Sequence, residues 1–444
     1  MLKQQSDSWQ LVWPDASRPV FTDGVAVVTA QQWQQQLQAV KRFIAMQPGD
    51  TVLLYQADPV LFSVWFIALS QLGKHIVLAP DGQPDTLQLA GAQCDWQAPQ
   101  AAVRADTVAY QPRLLLQNSC RVSFFTSGST GQPKLVTKRL SQLLLEVQTL
   151  QQQFGVALSG QTLFAATVSF QHIYGLLFRM LWPLCYGHLQ YRAQLSYLEQ
   201  WQALLQHYDV VLVASPAHLA RFDDIATLAP YAVRCQRIFS SGGPLNDAVP
   251  QRYVTALQQA PTEVFGSTET GGIAYRQRNT ADVGWQVFDG VSVGQGPEQA
   301  LQVSSAYLDS AGWFTTSDQV ELLTERSFRL IGRLDRIVKI EEKRLSLPEL
   351  EQYCLASNLV LQVAAVVLTA TKPQLALVIV LSNQGEQLLN QQGKLVLNQH
   401  IKQHLLQRFE RVLLPRKFRY VASLPYNQQG KLPRSELEAL FEHD

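Results

Sequence analysis

The chain has 444 residues and a formal net charge of +1, so no bulk electrostatic field draws it to nucleic acid or to an acidic membrane surface. That length accommodates two or three domains with sizeable cores, and the apolar share is that of an ordinary globular protein, with polarity carried largely by glutamine. The five cysteines are widely spaced and lack CxxC or His-paired spacing, which points to reduced, mostly buried thiols and no metal site. Met1 to Pro14 contains no apolar signal core, and the greasiest stretch, Leu176 to Leu189, is interrupted by Arg179 and Pro183. A protein without membrane insertion and with a cytoplasmic location is the expectation.

In chain order, Gln31 to Met46 reads as an amphipathic helix with Trp33, Leu37, Val40, Phe43 and Ile44 on one face. A strand at Thr51 to Tyr55, a helix from Pro59 to Leu72 and a strand at Ile76 to Ala79 follow, the alternation of a parallel sheet clothed by helices. The strand Val122 to Phe125 runs into Thr126-Ser127-Gly128-Ser129-Thr130-Gly131-Gln132-Pro133-Lys134. Glycines let the backbone approach a ligand, hydroxyls donate to phosphate oxygens, and the lysine adds a mobile positive charge. Gly131 is followed by Gln132 and Pro133, so this is not a Walker A loop. Taken alone, it could also be a Ser/Gly-rich surface turn.

Later strands at Asp209 to Ala214, Arg237 to Phe239 and Thr262 to Phe265 lead into Ser240-Ser241-Gly242-Gly243-Pro244 and Gly266-Ser267-Thr268-Glu269-Thr270-Gly271-Gly272. Short β-runs fill Gly284 to Asp318, ending on Trp313-Phe314-Thr315-Thr316-Ser317-Asp318. Gly332-Arg333-Leu334-Asp335 precedes a change of character. A small α+β unit follows, with a hairpin over Arg336 to Ser346 and a helix opening at Pro348. Strands come at Val363 to Thr369 and Leu375 to Leu381, then a helix over Leu395 to Phe409, a strand at Lys417 to Val421 and a helix at Arg434 to Phe441. Near the end, Asn427-Gln428-Gln429-Gly430-Lys431 presents a lysine on a loop. The predicted fold class is α/β: a large N-terminal domain with layered sheets (1–334) and a small mobile α+β C-terminal domain (335–444).

The order and spacing of these segments resemble the adenylate-forming superfamily of acyl- and aryl-CoA synthetases, luciferases and peptide-synthetase adenylation domains, over nearly the whole chain. The resemblance implies that Thr126, Ser127, Gly128, Ser129, Thr130, Gly131 and Lys134 hold the β- and γ-phosphates of ATP. It implies that Thr268 contacts the α-phosphate beside Gly266 and that Glu269 binds Mg²⁺. It also implies that Phe265 and Ser241-Gly242-Gly243 flank adenine, that Asp318 accepts from the ribose hydroxyls, and that Arg333 holds ribose or phosphate. Lys431 would bridge substrate carboxylate and α-phosphate, and the small domain would rotate about a hinge at Asp335. The segment Ser169 to Gly175 resembles the family's aromatic-histidine region, which places His172 beside the substrate carboxylate. Gln171, Gly175, Ser215, Gly242 and Gly271 would then be pocket walls.

More modest roles exist for several of these residues. Glu269 could cap a helix beginning after Gly271, Asp318 could be a turn residue, Arg333 a domain-border ion pair, Lys431 a solvated loop lysine, and His172 a structural histidine. The chain departs from the family where Glu342 replaces a glycine in Lys339-Ile340-Glu341-Glu342-Lys343-Arg344, and its N-terminal domain is shorter than usual before the first loop. In both features it resembles the aryl-acid ligases of aryl polyene and xanthomonadin-type pigment clusters. The expected activity is ATP-dependent activation of a carboxylic acid, an aromatic one such as a hydroxybenzoate or hydroxycinnamate. Transfer to a phosphopantetheine thiol of an acyl carrier protein would follow, with an aryl- or medium-chain acyl-CoA ligase using free CoA as the alternative. A nucleotide sensor without catalysis and a luciferase-like oxygenase are the competing classes.

Overall fold

The computed structural model describes residues 2–5, 8–101, 103–105, 107–127, 133–159, 162–280, 283–340, 343–368, 374–426 and 432–442. The chain forms two compact units. One is built from Met1–Ser292 and Ser304–Phe314, the other from Val293–Val303, Thr315–Asn427 and Lys431–Asp444.

In the first unit, a five-stranded sheet runs in the order Pro133–Arg139, Arg121–Ser127, His75–Leu78, Thr51–Leu54, Trp96–Gln97. All its neighbours are parallel except the hairpin formed by Arg121–Ser127 and Pro133–Arg139. The helix Ala30–Ala45 starts on a capping box between Thr29 and Gln32. Pro59–Gln71 starts on Asp58, whose carboxylate accepts from the backbone N–H groups of Val60 and Leu61, with Pro59 in the first turn. Nearly every residue of that second helix is buried, so it is a core helix and not an amphipathic one.

A larger sheet of the same unit has parallel strands Leu189–Gln194, Leu163–Ala166, Val210–Ala214, Cys235–Ser240 and Thr262–Ser267 side by side, continued by the antiparallel Gly271–Gln277. Val210–Ala214 is buried on every residue, as a central parallel strand covered on both faces must be. The greasy stretch after Gly175 is interior helix: Leu176–Leu181 is wound as a π-helix and Trp182–Tyr186 follows as α-helix. Their aromatic rings meet Phe154, Phe164 and Phe239 edge-on or tilted. Among the described residues, no helix is long and apolar enough to cross a membrane.

In the second unit, Phe314–Thr324 pairs antiparallel with Ser327–Arg333, and a single 3₁₀ turn, Leu334–Arg336, leads to the hairpin Ile337–Ile340 and Lys343–Ser346. A three-stranded sheet, Val360–Leu368, Gln374–Leu381 and Lys417–Tyr420, packs with the helix Leu347–Leu355 around a core that includes Leu350, Leu377, Leu397 and Ile401. The helix expected from Leu395 begins instead at Asn383, where Ser382 accepts from Gly385 N–H, and ends at Leu406. Gly393 has φ 80° and ψ 171° within it, so two helical pieces meet at a break. The first piece is polar and glutamine-rich, which hides it from a search for apolar periodicity.

Candidate active site

Four of the predicted segments follow the carboxyl ends of adjacent parallel strands of the larger sheet. Ser169 to Gly175 follows Leu163–Ala166, Ser215 follows Val210–Ala214, Ser241-Gly242-Gly243 follows Cys235–Ser240, and Gly266 to Glu269 closes Thr262–Ser267. Ligands of open α/β sheets bind at that edge, because strand ends there release loops and unpaired backbone groups. The sequence therefore delivers these four segments to one edge of one sheet.

The glutamate segment is a hairpin turn. Ser267 and Gly271 are register partners, leaving Thr268-Glu269-Thr270 as a three-residue loop. Gly271 has φ +69°, the left-handed residue that such loops require on re-entering the strand. Ser267 N–H donates to Thr270 Oγ1 (3.1 Å) and Thr270 N–H to Ser267 Oγ (3.2 Å), which fixes the turn from inside. A strand, not a helix, follows Gly271, so the capping role considered for Glu269 does not apply. Thr268 and Glu269 are both half-buried.

Around this turn, Phe265 is half-buried with its ring 5.3 Å from that of Trp285, and Ser241 Oγ donates to Val264 O at 2.9 Å. Gly242 and Gly243 are exposed. Ser215 is buried; its hydroxyl lies 2.8 Å from His218 Nδ1, and burial together with Arg221 pushes that imidazole down to about 4. His218 is therefore neutral at ordinary pH.

In the aromatic-histidine segment, Gln171 is buried and its amide donates to Gln56 O at 2.9 Å. His172 is half-buried just before the short helix Ile173–Gly175, and its carbonyl accepts from Leu176 N–H at 2.7 Å. Gly175 lies so close to Ser169 that a Cβ would stand 1.9 Å from the Ser169 carbonyl oxygen, so only glycine fits. Arg179, fully inside, donates to Val168 O (2.6 Å) and Arg192 O (3.2 Å) and braces the same loop from below.

The phosphate-loop candidates lie partly outside the described residues. Gly128, Ser129, Thr130 and Gly131 are outside them, as are Lys431 and Glu342, and of Thr126, Ser127 and Asp335 only the backbone is described. The pairing continues down to Thr126↔Lys134 and Ser127↔Pro133, with Lys134 exposed. In the second unit, Asp318 and Arg333 are register partners on adjacent strands, with Asp318 Oδ1 3.6 Å from Arg333 Nη1. Arg333 thus pairs within the second unit, with the carboxylate expected at ribose, and not across a domain border.

Sequence reasoning overlooked one residue that joins two motifs. Lys138, on Pro133–Arg139, is buried; its ammonium donates to the backbone carbonyls of Glu269 and of Tyr307, the latter at 2.9 Å. The strand that leaves the phosphate loop is thereby tied to the turn that carries Glu269. The signal available was the even spacing of Lys134, Val136 and Lys138, which sets both lysines on one face of a strand.

The donor set fits a magnesium nucleotide. Mg²⁺ is held through one or two carboxylates plus phosphate oxygens and waters, and Glu269 offers one carboxylate on a turn whose main chain is already fixed. Among the described residues, no group of three or more His, Cys, Asp or Glu side chains gathers to hold a metal by itself.

A match to the AMP-binding enzyme family covers residues 25–294, more than half of the chain, and the chain belongs to that family. It is 25% identical over 369 residues to a probable CoA ligase, CCL5, of Humulus lupulus, covering 72% of this chain and 63% of that one. It is 29% identical over 180 residues to a 4-coumarate–CoA ligase of Rhodobacter capsulatus, covering 39% and 46%. The matches span 63%, 46% and 53% of the lengths of three such relatives. Among solved structures, the ATP-bound RpMatB-BxBclM chimera B3 superposes with TM-score 0.79 at 14% identity, covering 97% of each chain. A benzoate CoA ligase from Burkholderia xenovorans LB400 gives 0.70 at 15% identity, covering 95% and 97%. These likenesses show the fold of adenylate-forming enzymes.

Proposed function

We propose that the protein is an ATP-dependent acid–thiol ligase that activates an aromatic carboxylic acid, of the hydroxybenzoate or hydroxycinnamate kind, and passes the acyl group to a phosphopantetheine thiol. The observation that carries the reading is the Lys138 link between the phosphate-loop hairpin and the Glu269 turn, at the ligand edge of the parallel sheet. The family match and the names of relatives that ligate 4-coumarate and 4-chlorobenzoate to CoA support the acid class.

In this reading, Thr126 to Lys134 hold the β- and γ-phosphates, Thr268 the α-phosphate, Ser241 to Gly243 with Phe265 the adenine, and Asp318 with Arg333 the ribose. Bound Mg²⁺, held by Glu269, supplies positive charge that neutralises the triphosphate. The acid's carboxylate oxygen attacks the α-phosphorus, an acyl–phosphate bond forms, the α–β bridge breaks and pyrophosphate leaves. Lys431 neutralises charge at the transferring phosphorus, a task for which a preorganised cation is suited. His172 and Gln171 position the acid, with Gly175, Ser215 and Gly271 shaping its slot. A thiolate then attacks the acyl carbon, a C–S bond replaces the C–O bond, and AMP leaves. The turn Leu334–Arg336, with Asp335 at its centre, is the proposed hinge between domains 1–334 and 335–444.

Glu342, where the family has glycine, supports a carrier-protein thiol as acceptor, and the CoA-ligase relatives support free CoA as the second reading. Incubating enzyme, ATP and acid with CoA or with holo carrier protein separates them. Acyl transfer confined to the carrier supports the first, and quantitative transfer to CoA alone replaces it. Detection of light or of an oxidised product would favour the oxygenase class over both.

A further inference from the structure

We propose that Lys138 is a positioning residue for the magnesium nucleotide, holding the Glu269 turn in place through main-chain carbonyls while Glu146 seats the strand that follows the turn through Gly272 N–H. The inference rests on the functional reading above.

A buried ammonium is costly unless its donors are satisfied, and Lys138 is only 3% exposed. It spends them on the carbonyls of Glu269, 131 positions away, and Tyr307, 169 positions away. Tyr307 O accepts a second bond from Gln142 Nε2 at 3.0 Å, and the Tyr307 hydroxyl lies 2.6 Å from Thr149 Oγ1. Gln142 and Thr149 sit on the helix Leu140–Leu150, which follows directly on the lysine's own strand. The same helix carries Glu146, a buried carboxylate that accepts from Gly272 N–H at 2.7 Å.

The two glycines that leave the turn lie close against that carboxylate. A Cβ on Gly271 would stand 2.7 Å from Glu146 Oε2, and one on Gly272 would stand 3.0 Å from Glu146 Oε1. A Cβ at either position would crowd the Glu146 carboxyl group. The loop bearing Thr268 and Glu269 is thus held by the Lys138 ammonium on its own carbonyl, and the strand it leads into by the Glu146 carboxyl on Gly272 N–H. Because Lys138 takes the Glu269 carbonyl, main-chain position is set independently of the carboxylate, which stays half-buried at the ligand edge. Catalytic electrostatics depend on such preorganisation, since a group that must first be ordered by its ligand loses binding energy to that ordering.

Lys138→Met keeps the apolar stem and removes the donors, and Lys138→Arg restores donors. Calorimetric titration with ATP, with Mg²⁺ and with EDTA, reads the nucleotide site without turnover. Pyrophosphate exchange reads KM for Mg·ATP and for acid separately. The methionine variant is expected to lose about tenfold or more of the Mg²⁺-dependent ATP affinity and to raise KM for Mg·ATP by a similar factor, a size in keeping with small misplacement of a binding group. KM for the acid should move less than threefold by the same reasoning, roughly, and arginine should recover most of the loss. A methionine variant that melts lower but keeps Mg²⁺-dependent affinity within about twofold would overturn the proposal and leave Lys138 as a core cation only. Should the methionine variant fail to fold, Lys138→Gln, whose shorter neutral side chain removes the ammonium from the two carbonyls, must show the same selective loss, and unchanged affinity there also overturns it. If wild-type enzyme exchanges no pyrophosphate with any acid, the ligase reading fails, while calorimetry still decides the role of Lys138.

Discussion

The two ends of the Thr262–Gln277 hairpin treat a glutamate in opposite ways. At the base, Glu263 is buried and gripped by Arg276 (Nη2 2.9 Å) and Arg278 (Nε 2.5 Å), with Arg276 also lying over the Trp285 ring. At the tip, Glu269 has its main chain pinned and its carboxylate half-buried. The base spends its charge on staying folded. At the tip the turn is held by Lys138 on the Glu269 carbonyl and by the Ser267 and Thr270 hydroxyls on main-chain N–H groups, and the proposed role of the carboxylate is to meet the nucleotide's metal.

The sharpest way to break this contrast is to remove the cation assigned to the reaction itself. Lys431→Ala should lower pyrophosphate exchange by ~10²–10³-fold with ATP affinity nearly unchanged, since the loss falls on a charge-stabilising contact of the transition state. Equal exchange in variant and wild type would remove Lys431 from the mechanism. Next comes the base of the hairpin: Glu263→Ala leaves two arginines facing a vacated buried site and should cost about 3–5 kcal/mol of stability by denaturant titration. In the surviving folded fraction, Mg²⁺-dependent ATP affinity should hold, and a selective loss there would erase the distinction between the two ends.

Glu146 provides a test through pH. Burial pushes its carboxyl up to about 7, against the lowering effects of the Gly272 N–H bond and of Lys138. The folded chain therefore binds this proton more tightly than the unfolded chain does. The group's contribution is most favourable at low pH and is lost as pH rises from the ordinary glutamate value through about 7. Glu146→Gln keeps an acceptor for Gly272 N–H but cannot ionise. The melting-temperature advantage of the variant over wild type should grow between about pH 5 and pH 8, and a gap that shrinks would contradict the shift. The smallest effect is expected far from both ends: Glu321→Ala removes an exposed pair with Arg329 and should change stability by less than about 1 kcal/mol.

Much of this was legible in the sequence, for identifiable reasons. Apolar runs bounded by Gly, Pro and Asp marked the strands at 51–54, 210–214 and 262–267 because buried parallel strands are continuous in hydrophobicity. The loops at their ends carry glycines and hydroxyls, which makes the loop-bearing edge of the sheet legible in the sequence. The Asn383–Gln392 part of the long helix was not legible, because its stabilisation comes from the Ser382 cap and few apolar contacts, and it stops at Gly393. The Asp318–Arg333 pairing depends on strand register, which composition does not reveal. Lys138 and Glu146 were hidden for a deeper reason. A lysine in a strand and a glutamate in an otherwise apolar helix look like surface residues until the fold brings Glu269, Gly272 and Tyr307 to them.

The proposal of acid adenylation is tested most directly by exchange of radiolabelled pyrophosphate into ATP across a panel of carboxylic acids. Label should enter ATP only when Mg²⁺ and an aromatic acid are both present, with hydroxylated benzoates or cinnamates among the best. No incorporation with any acid from protein that still binds Mg·ATP would contradict the account.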